Sequence, residues 1–142
     1  MPNPNQTING VIAQKLQVLD QVLAEVKSLG EISVRQLNED WRTRRAVERD
    51  LQVLVEIVID ICQRLISLSG QSPVTTGTEA IERCIQLGAL SRYGAYDKMV
   101  RFRNFIVHRY ERVDVEILAD MVNRYLADFE KFRDEILDYV QG

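Results

Sequence analysis

An arginine, an asparagine, a histidine and a tyrosine lie close together in the segment RNFIVHRY, residues 103–110. His108, the only histidine of the chain, can transfer protons near neutral pH. The guanidinium of Arg103 can hold a phosphate and stabilise the charge that develops in a transition state. Asn104 can orient the imidazole or the phosphate, and the Tyr110 phenol can donate to a phosphate oxygen. These groups suit metal-free cleavage of RNA, in which the 2′-hydroxyl attacks the adjacent phosphorus.

The alternative for His108 is a histidine that packs against the core and hydrogen-bonds a neighbour. On a straight helix with about 100° per residue, Asn104 and His108 lie on one side and Arg103 and Tyr110 on another. The four groups then do not converge on one small substrate, so either the helix distorts or a second chain completes a wide cleft. If the reaction needs one imidazole as base and another as acid, a symmetric dimer must supply both.

The elements that position this segment are predicted to be helices, because apolar residues recur three or four positions apart and no segment alternates with period two. The predicted elements are a helix within 11–29, a short helical turn after Ser33, a long helix within 41–69, a helix after Thr76, the motif helix from Tyr96 and a last helix after Asp114. The prediction is an all-α, up-and-down bundle of four or five helices. It forms one domain over residues 1–142, with 1–8 as a frayed N-terminus.

Charge restricts how the chain can meet RNA, since its net charge is −3 and only a local cluster can attract a polyanion. Arg42, Arg45 and Arg49 share one helical face and are candidate contacts to an RNA backbone. The alternative is a solvated face that pairs with nearby carboxylates. Around the motif the local charge is also positive; the cations there are Lys98, Arg101, Arg109 and Arg112.

Other classes of protein are disfavoured by the composition. The longest apolar run, LVEIVIDIC at 54–62, contains Glu56 and Asp60 and is shorter than the roughly 20 residues of a membrane-spanning helix. These two acids either line a cleft or dimer contact, or face water. The N-terminus shows no signal peptide, so we expect a cytoplasmic protein. Cys62 and Cys84 lack metal-ligand spacing and are expected to be buried free thiols, with no metal or cofactor.

The motif resembles that of HEPN ribonucleases, in particular the HepT-like toxin branch. Arg103, four intervening residues, His108, one residue and Tyr110 carry the resemblance, together with Asn104 and the flanking segments YDKMVRFR and VD. The long segment RRAVERDLQVLVEIVIDICQRLI is similar to the second helix of that family. The resemblance covers most of the chain.

The resemblance implies a dimeric, metal-independent toxin ribonuclease with its active cleft at the dimer interface. Arg103 and His108 would be catalytic, with Asn104 and Tyr110 in support. The expected partner is a minimal nucleotidyltransferase antitoxin, which can silence such toxins by attaching AMP to the motif tyrosine, here Tyr110. A nucleotide at that position would add bulk and negative charge where an RNA phosphate must lie.

Two functions therefore compete. In the first, the chain is an endoribonuclease that uses Arg103 and His108. In the second, it is a non-catalytic helical module that binds a nucleotidyltransferase or a nucleotide through the same motif. A plain structural bundle explains the helices but not the clustering of the four motif residues.

Overall fold

A computed structural model of the chain describes residues 4–107 and 114–141, with side chains over 10–103 and 114–141. Those ranges contain α-helices and no strand, which confirms the all-α fold. The helices are α1 (Pro4–Ser28), α2 (Val34–Glu39), α3 (Trp41–Leu68), α4 (Gly77–Gln86), α5 (Gly94–Val107), α6 (Val115–Arg124) and α7 (Leu126–Gln141). The described ranges thus contain seven helices, whereas the sequence predicts four or five. The difference arises because the predicted short turn forms the helix α2, and because the last predicted helix is divided into α6 and α7.

The helix ends follow local chemistry that the sequence predicts. The Ser33 hydroxyl accepts from the backbone N–H of Gln36, and the Gln36 side chain accepts from Ser33 in return. Asp114 caps α6 by accepting from the N–H of Glu116 at 2.8 Å. Gly30, with φ of 69°, ends α1 in a left-handed conformation that other residues adopt at a cost. The start of α1 at Pro4 is earlier than the apolar spacing from residue 11 predicts.

Helix α3 lies at the centre of the fold and contacts α1, α2, α4, α5 and α6. Its inward stripe contains every residue that the sequence predicts; these are Val47, Leu51, Leu54, Val55, Val58, Cys62 and Leu65, all buried. Burying one such side chain contributes about 1.5–3 kcal/mol, so this stripe is a main source of stability. The apolar spacing of the first predicted helix also includes Leu29 as an inward residue, and this is wrong, since Leu29 follows the helix end and is 44% exposed.

Helix α5, which carries the motif, is held against α3 and α4. Its buried residues include Met99, Val100 and Phe102. Gly77, the first residue of α4, makes this packing possible, since a Cβ there would lie 2.6 Å from Cγ1 of Val100 and 3.1 Å from Cδ1 of Ile59. Any larger residue would push α4 away from the motif helix.

The predicted last helix is divided at Tyr125, whose φ of −111° and ψ of 3° interrupt the helical backbone. Helix α6 then packs on α2 and α3, whereas α7 packs on α1. The break therefore separates two helices that pack on different parts of the fold. Tyr139, predicted to face inward, is 40% exposed near the end of α7.

The two cysteines are buried free thiols, as the sequence predicts. The Cys84 thiol donates to the carbonyl of Cys62 at 3.6 Å. The hydrogen bond with Cys84, followed by burial, raises the pKa of the Cys62 thiol above its usual range.

Over the described ranges, no helix is long and apolar enough to cross a membrane. The same ranges contain no group of three histidine, cysteine or acidic side chains placed to hold a metal ion.

Candidate active site

The motif begins in the last two turns of α5. Arg103 is described with its side chain, whereas Asn104 is described as helical backbone alone. His108 and Tyr110 lie outside the described residues. Arg103 is thus the one motif side chain that the structure describes, and the grouping of all four residues in one site stays a prediction.

Arg103 lies on the core-facing side of α5, although it is a charged residue. It follows Met99 by four positions and Tyr96 by seven, and residues at these spacings share one helical face. Arg103 is half-buried, and within the described ranges its Nε has no hydrogen-bond partner. Leaving a guanidinium N–H away from water without an acceptor costs free energy. A phosphate oxygen is an acceptor of the right charge for this position.

The start of α5 is fixed by a buried tyrosine. Tyr96 is fully buried and packs edge-on against Phe132 at 6.0 Å between ring centroids. Its hydroxyl donates to Glu135, which also accepts from the backbone N–H of Ser91 at 3.0 Å. Burial, followed by the hydrogen bond to Glu135, raises the pKa of the Tyr96 phenol well above its usual range. The phenol therefore stays neutral and anchors α5 to α7.

The outer side of α5 is positively charged, as the sequence predicts for residues 98 and 101. Lys98 and Arg101 are exposed. The Lys98 ammonium lies 3.1 Å from the hydroxyl of Tyr125 and 4.9 Å from the centroid of its ring. Arg109 and Arg112, the other cations predicted here, lie outside the described residues. The described part of the motif region thus keeps its local positive charge in an acidic chain.

The predicted RNA-contact residues on α3 are all exposed; they are Arg42, Arg45 and Arg49. Trp41 beside them is 66% exposed, and the Arg42 guanidinium lies 5.4 Å from its ring centroid. Asp40, one candidate neutralising carboxylate, instead caps α3 and accepts from the backbone N–H groups of residues 42 and 43. Hydrogen bonds with Thr43 lower the pKa of this carboxyl.

The other nearby carboxylates are also engaged mainly elsewhere. Glu39 accepts from Arg35 within α2 at 2.9 Å. Glu48 lies 3.2 Å from Nε of the half-buried Arg44 and 3.9 Å from the exposed Arg45. The pairing alternative therefore holds in part, since Arg45 lies near Glu48 and Arg49 interacts electrostatically with Asp50, while all three arginines remain exposed.

Glu56 and Asp60 have different surroundings. Glu56 is exposed and accepts from Gln52 at 3.0 Å. Asp60 forms an ion pair with Lys15 of α1 and lies 3.7 Å from Nε of Arg64. Asp60 thus links α1 to α3, a role that the sequence does not predict.

Sequence reasoning also missed a groove between α5 and α6. Lys98 and Arg101 form one wall, and the opposite wall comes from residues 117–121 of α6, up to Tyr125. The spacing of the two cations by three positions was a signal for a shared face. Nothing in the sequence indicated which helix would lie opposite that face.

Known proteins resemble the chain over nearly its whole length. An mRNA nuclease HepT of Shewanella oneidensis is 24% identical over 132 residues, which cover 91% of this chain and 98% of that protein. The solved structure of a tri-AMPylated Shewanella oneidensis HEPN toxin in complex with an MNT antitoxin superimposes with a TM-score of 0.78 at 21% identity, over 90% of this chain and 97% of that one. A toxin–antitoxin structure with AMP-PNP gives a TM-score of 0.80 at 23% identity, over 91% and 98%.

These structural matches establish the fold, and the family follows from the sequence profile. The profile of the family described as Ribonuclease HepT-like matches residues 19–136, which include the second part of α1, all of α2 to α6, most of α7 and the whole RNFIVHRY motif. The fold, the motif helix and this match lead to one conclusion: the chain belongs to the ribonuclease HepT-like family.

Proposed function

We propose that this protein is the toxin of a toxin–antitoxin pair and acts in the cytoplasm as a metal-independent endoribonuclease. Its working form is a homodimer with the catalytic cleft at the interface. The observation that carries the proposal is Arg103, held on the core-facing side of α5 with a buried Nε that lacks a described partner. A phosphodiester would supply the missing acceptor.

The chemistry follows from the roles of two side chains. Neutral His108 takes the proton of the RNA 2′-hydroxyl, whose oxygen then attacks the adjacent phosphorus. The bond from phosphorus to the 5′-oxygen breaks, and that oxygen takes a proton from the protonated His108 of the second copy. Arg103 stabilises the charge on the non-bridging oxygens. The products are a 2′,3′-cyclic phosphate and a free 5′-hydroxyl. The two imidazoles end with their protonation states exchanged.

Asn104 and Tyr110 support this reaction by holding the imidazole and the phosphate. We further propose that a minimal nucleotidyltransferase antitoxin silences the enzyme by attaching AMP to Tyr110. The related HEPN toxin whose structure is known is tri-AMPylated and bound to an MNT antitoxin, which supports this part of the proposal. The added phosphate would repel the RNA backbone electrostatically, and the nucleotide would occupy its space.

The exposed arginines of α3 provide the contact with the rest of the RNA. Arg42, Arg45 and Arg49 lie on one face, and each phosphate they neutralise releases counterions. This binding energy does not depend on sequence. The protein would therefore hold single-stranded RNA through its backbone while the motif region performs the cleavage.

The test is RNA cleavage in EDTA by protein purified without its partner and shown by intact mass to carry no adenylate. Wild type should leave fragments that end in cyclic phosphate, whereas His108→Ala should be slower by roughly 10²–10⁴-fold. The variant should keep the wild-type melting temperature and dimeric mass.

Two results would count against the proposal. If neither protein cuts RNA, the motif is a binding surface, as in the alternative of a non-catalytic module for a nucleotidyltransferase. If cleavage requires a divalent metal and stops in EDTA, the 2′-hydroxyl mechanism without metal is wrong.

A further inference from the structure

A groove of about 330 Å³ lies between α5 and α6, on the outer side of the motif helix. The residues that line it are Lys98, Arg101, Phe102, Ile117, Asp120, Met121 and Tyr125. Its size is near the lower end of the range for small-molecule sites, which are mostly apolar with a few placed polar groups. The groove has this composition.

The floor of the groove suits a flat aromatic ring. Phe102 and Met121 are buried beneath it, Ile117 is half-buried, and the ring of Tyr125 closes one end. Methionine sulfur and aromatic side chains both make favourable contacts with aromatic rings. A nucleobase offers such a ring, and stacking on it tolerates any of the four bases.

The rim of the groove is positively charged. Arg101 and Lys98 both reach it, and Lys98 donates to the Tyr125 hydroxyl and is paired with no carboxylate among the described residues. Asp120 is the one acid among the described lining residues, and it lies 3.2 Å from Nε of Arg124. An apolar floor beside a cationic rim matches a ligand that joins a flat ring to a phosphate.

The groove and the candidate active site are both on α5, and the described lining of the groove does not include Arg103. Phe102 immediately precedes Arg103, and Lys98 lies five residues before it, about 7.5 Å along the helix axis at 1.5 Å per residue. Measured along the axis, a nucleotide in the groove would lie within two helical turns of Arg103, which is on the core-facing side of the same helix.

We infer that the groove between α5 and α6 is a nucleotide subsite, with the base on Phe102 and Met121 and the phosphate between Lys98 and Arg101. The inference rests on the proposed function and specifies how the same site recognises its substrate. The ligand is a nucleoside monophosphate unit. Two sources share that chemistry: a nucleotide of the bound RNA next to the cleaved bond, and the adenylate carried by Tyr110.

Methyl NMR tests this directly, because the lining contains a methionine and an isoleucine. The probes are AMP and a short single-stranded RNA, added to the full-length His108→Ala protein so that the RNA stays intact. The methyl resonances of Met121 and Ile117 should shift with saturation. Those of Met99 and Ile136, which are buried and are not among the described lining residues, should not.

The charge requirement is tested with Lys98→Gln and Arg101→Gln, each expected to weaken AMP binding about tenfold, since a hydrogen bond to a charged group is worth that factor or more. Lys131→Gln is the matched control. Its ammonium lies 4.1 Å from the ring centroid of Tyr93, a pair equivalent to Lys98 with Tyr125 but placed outside the groove lining. This control should bind AMP like the parent protein.

The two sources are separated with protein that carries an adenylate. If Met121 is already shifted there and free AMP adds nothing, the adenylate fills the groove. If Met121 is unshifted there but responds to RNA in the unmodified protein, the occupant is an RNA nucleotide. Either result supports the subsite.

Three results would overturn it. They are unchanged Met121 and Ile117 resonances at saturating RNA, equal binding by adenosine and AMP, or shifts that depend on protein concentration without nucleotide, which would mean that a second copy covers the groove. Cleavage by wild type is measured in parallel. If wild type cleaves RNA but the Met121 and Ile117 resonances do not shift, only the subsite is contradicted. If these resonances shift but wild type does not cleave RNA, only the nuclease proposal is contradicted.

Discussion

Before the start of α5, Tyr93 donates to Asp128 at 2.7 Å, and one turn later Tyr96 donates to Glu135, whereas near the end of α5 Arg103 keeps a buried Nε with no described acceptor. The first end is a closed set of hydrogen bonds to α7. The second end is cationic and open to a ligand. The difference suggests a division of labour, in which a rigid start holds the helix and an unsatisfied end meets the substrate.

The largest effect that this comparison predicts is on the open end. Arg103→Gln should lower kcat for RNA cleavage by roughly 10²–10³-fold, because it removes a donor that stabilises transition-state charge. The free energy of unfolding should stay the same or rise slightly, since the variant loses a half-buried guanidinium whose Nε has no described partner. The measurements are single-turnover cleavage and urea denaturation.

Arg64→Gln is the matched control, because Arg64 is the other residue within the described ranges whose buried Nε lacks a hydrogen-bond partner. Arg64 lies on α3 beside Asp60 and outside the motif helix. Its replacement should leave cleavage unchanged. Equal losses of activity in both variants would show that the unsatisfied guanidinium of Arg103 has no special part in the reaction.

An intermediate effect is expected at the closed end, where Tyr96→Phe removes the hydroxyl that donates to Glu135. The loss should lower the free energy of unfolding by roughly 1–3 kcal/mol at pH 8, since the bond has a charged acceptor. Cleavage should fall far less than in Arg103→Gln. Tyr139→Phe, at a tyrosine that is 40% exposed, is the control and should leave stability unchanged.

Tyr96 should also make the free energy of unfolding depend on pH. The folded protein raises the pKa of the Tyr96 phenol, so its contribution to stability is complete below the unfolded pKa of about 10 and is lost as pH rises above it. Wild type should therefore lose stability between about pH 9 and pH 11 more steeply than Tyr96→Phe. Parallel slopes in urea denaturation would contradict this account of the closed end.

The smallest effect concerns RNA binding beyond the motif. Arg45→Gln and Arg49→Gln should each weaken RNA binding by a few-fold and reduce the slope of log K against log salt by about 0.7, the value for one phosphate contact on a single strand. Arg35→Gln, which removes an exposed arginine paired with Glu39, is the control. A control with the same loss would mean that overall charge, and not this face of α3, holds the RNA.

Much of this architecture can be predicted from local sequence. The inward stripe of α3 follows from apolar spacing, and the caps at Ser33 and Asp114 follow from side chains that bond backbone N–H groups within three residues. The motif residues, Arg103 and His108, can be named from type and spacing. These features depend on interactions between residues close together in one helix, so they can be predicted from the order of residues in the sequence.

Contacts between distant segments could not be predicted in the same way. The bond from Tyr96 to Glu135, the ion pair between Lys15 and Asp60 and the close approach at Gly77 each join helices that are separated in sequence. Each contact depends on which helices pack together. The spacing of apolar residues identifies the buried face of a helix but not the helix that lies against that face. For this reason Asp60 had two open interpretations in the sequence, neither of which included a link to α1.

By itself, the sequence determined most helices and their caps and predicted which groups react, because these follow from neighbours within about one helical turn. Tertiary structure decided that Arg103 is turned toward the core, that the last predicted helix breaks at Tyr125, and that α6 faces Lys98 and Arg101 across a groove. The physical reason is that burial and charge pairing depend on packing between helices. The same arginine would be an ordinary surface cation if α5 were rotated by half a turn.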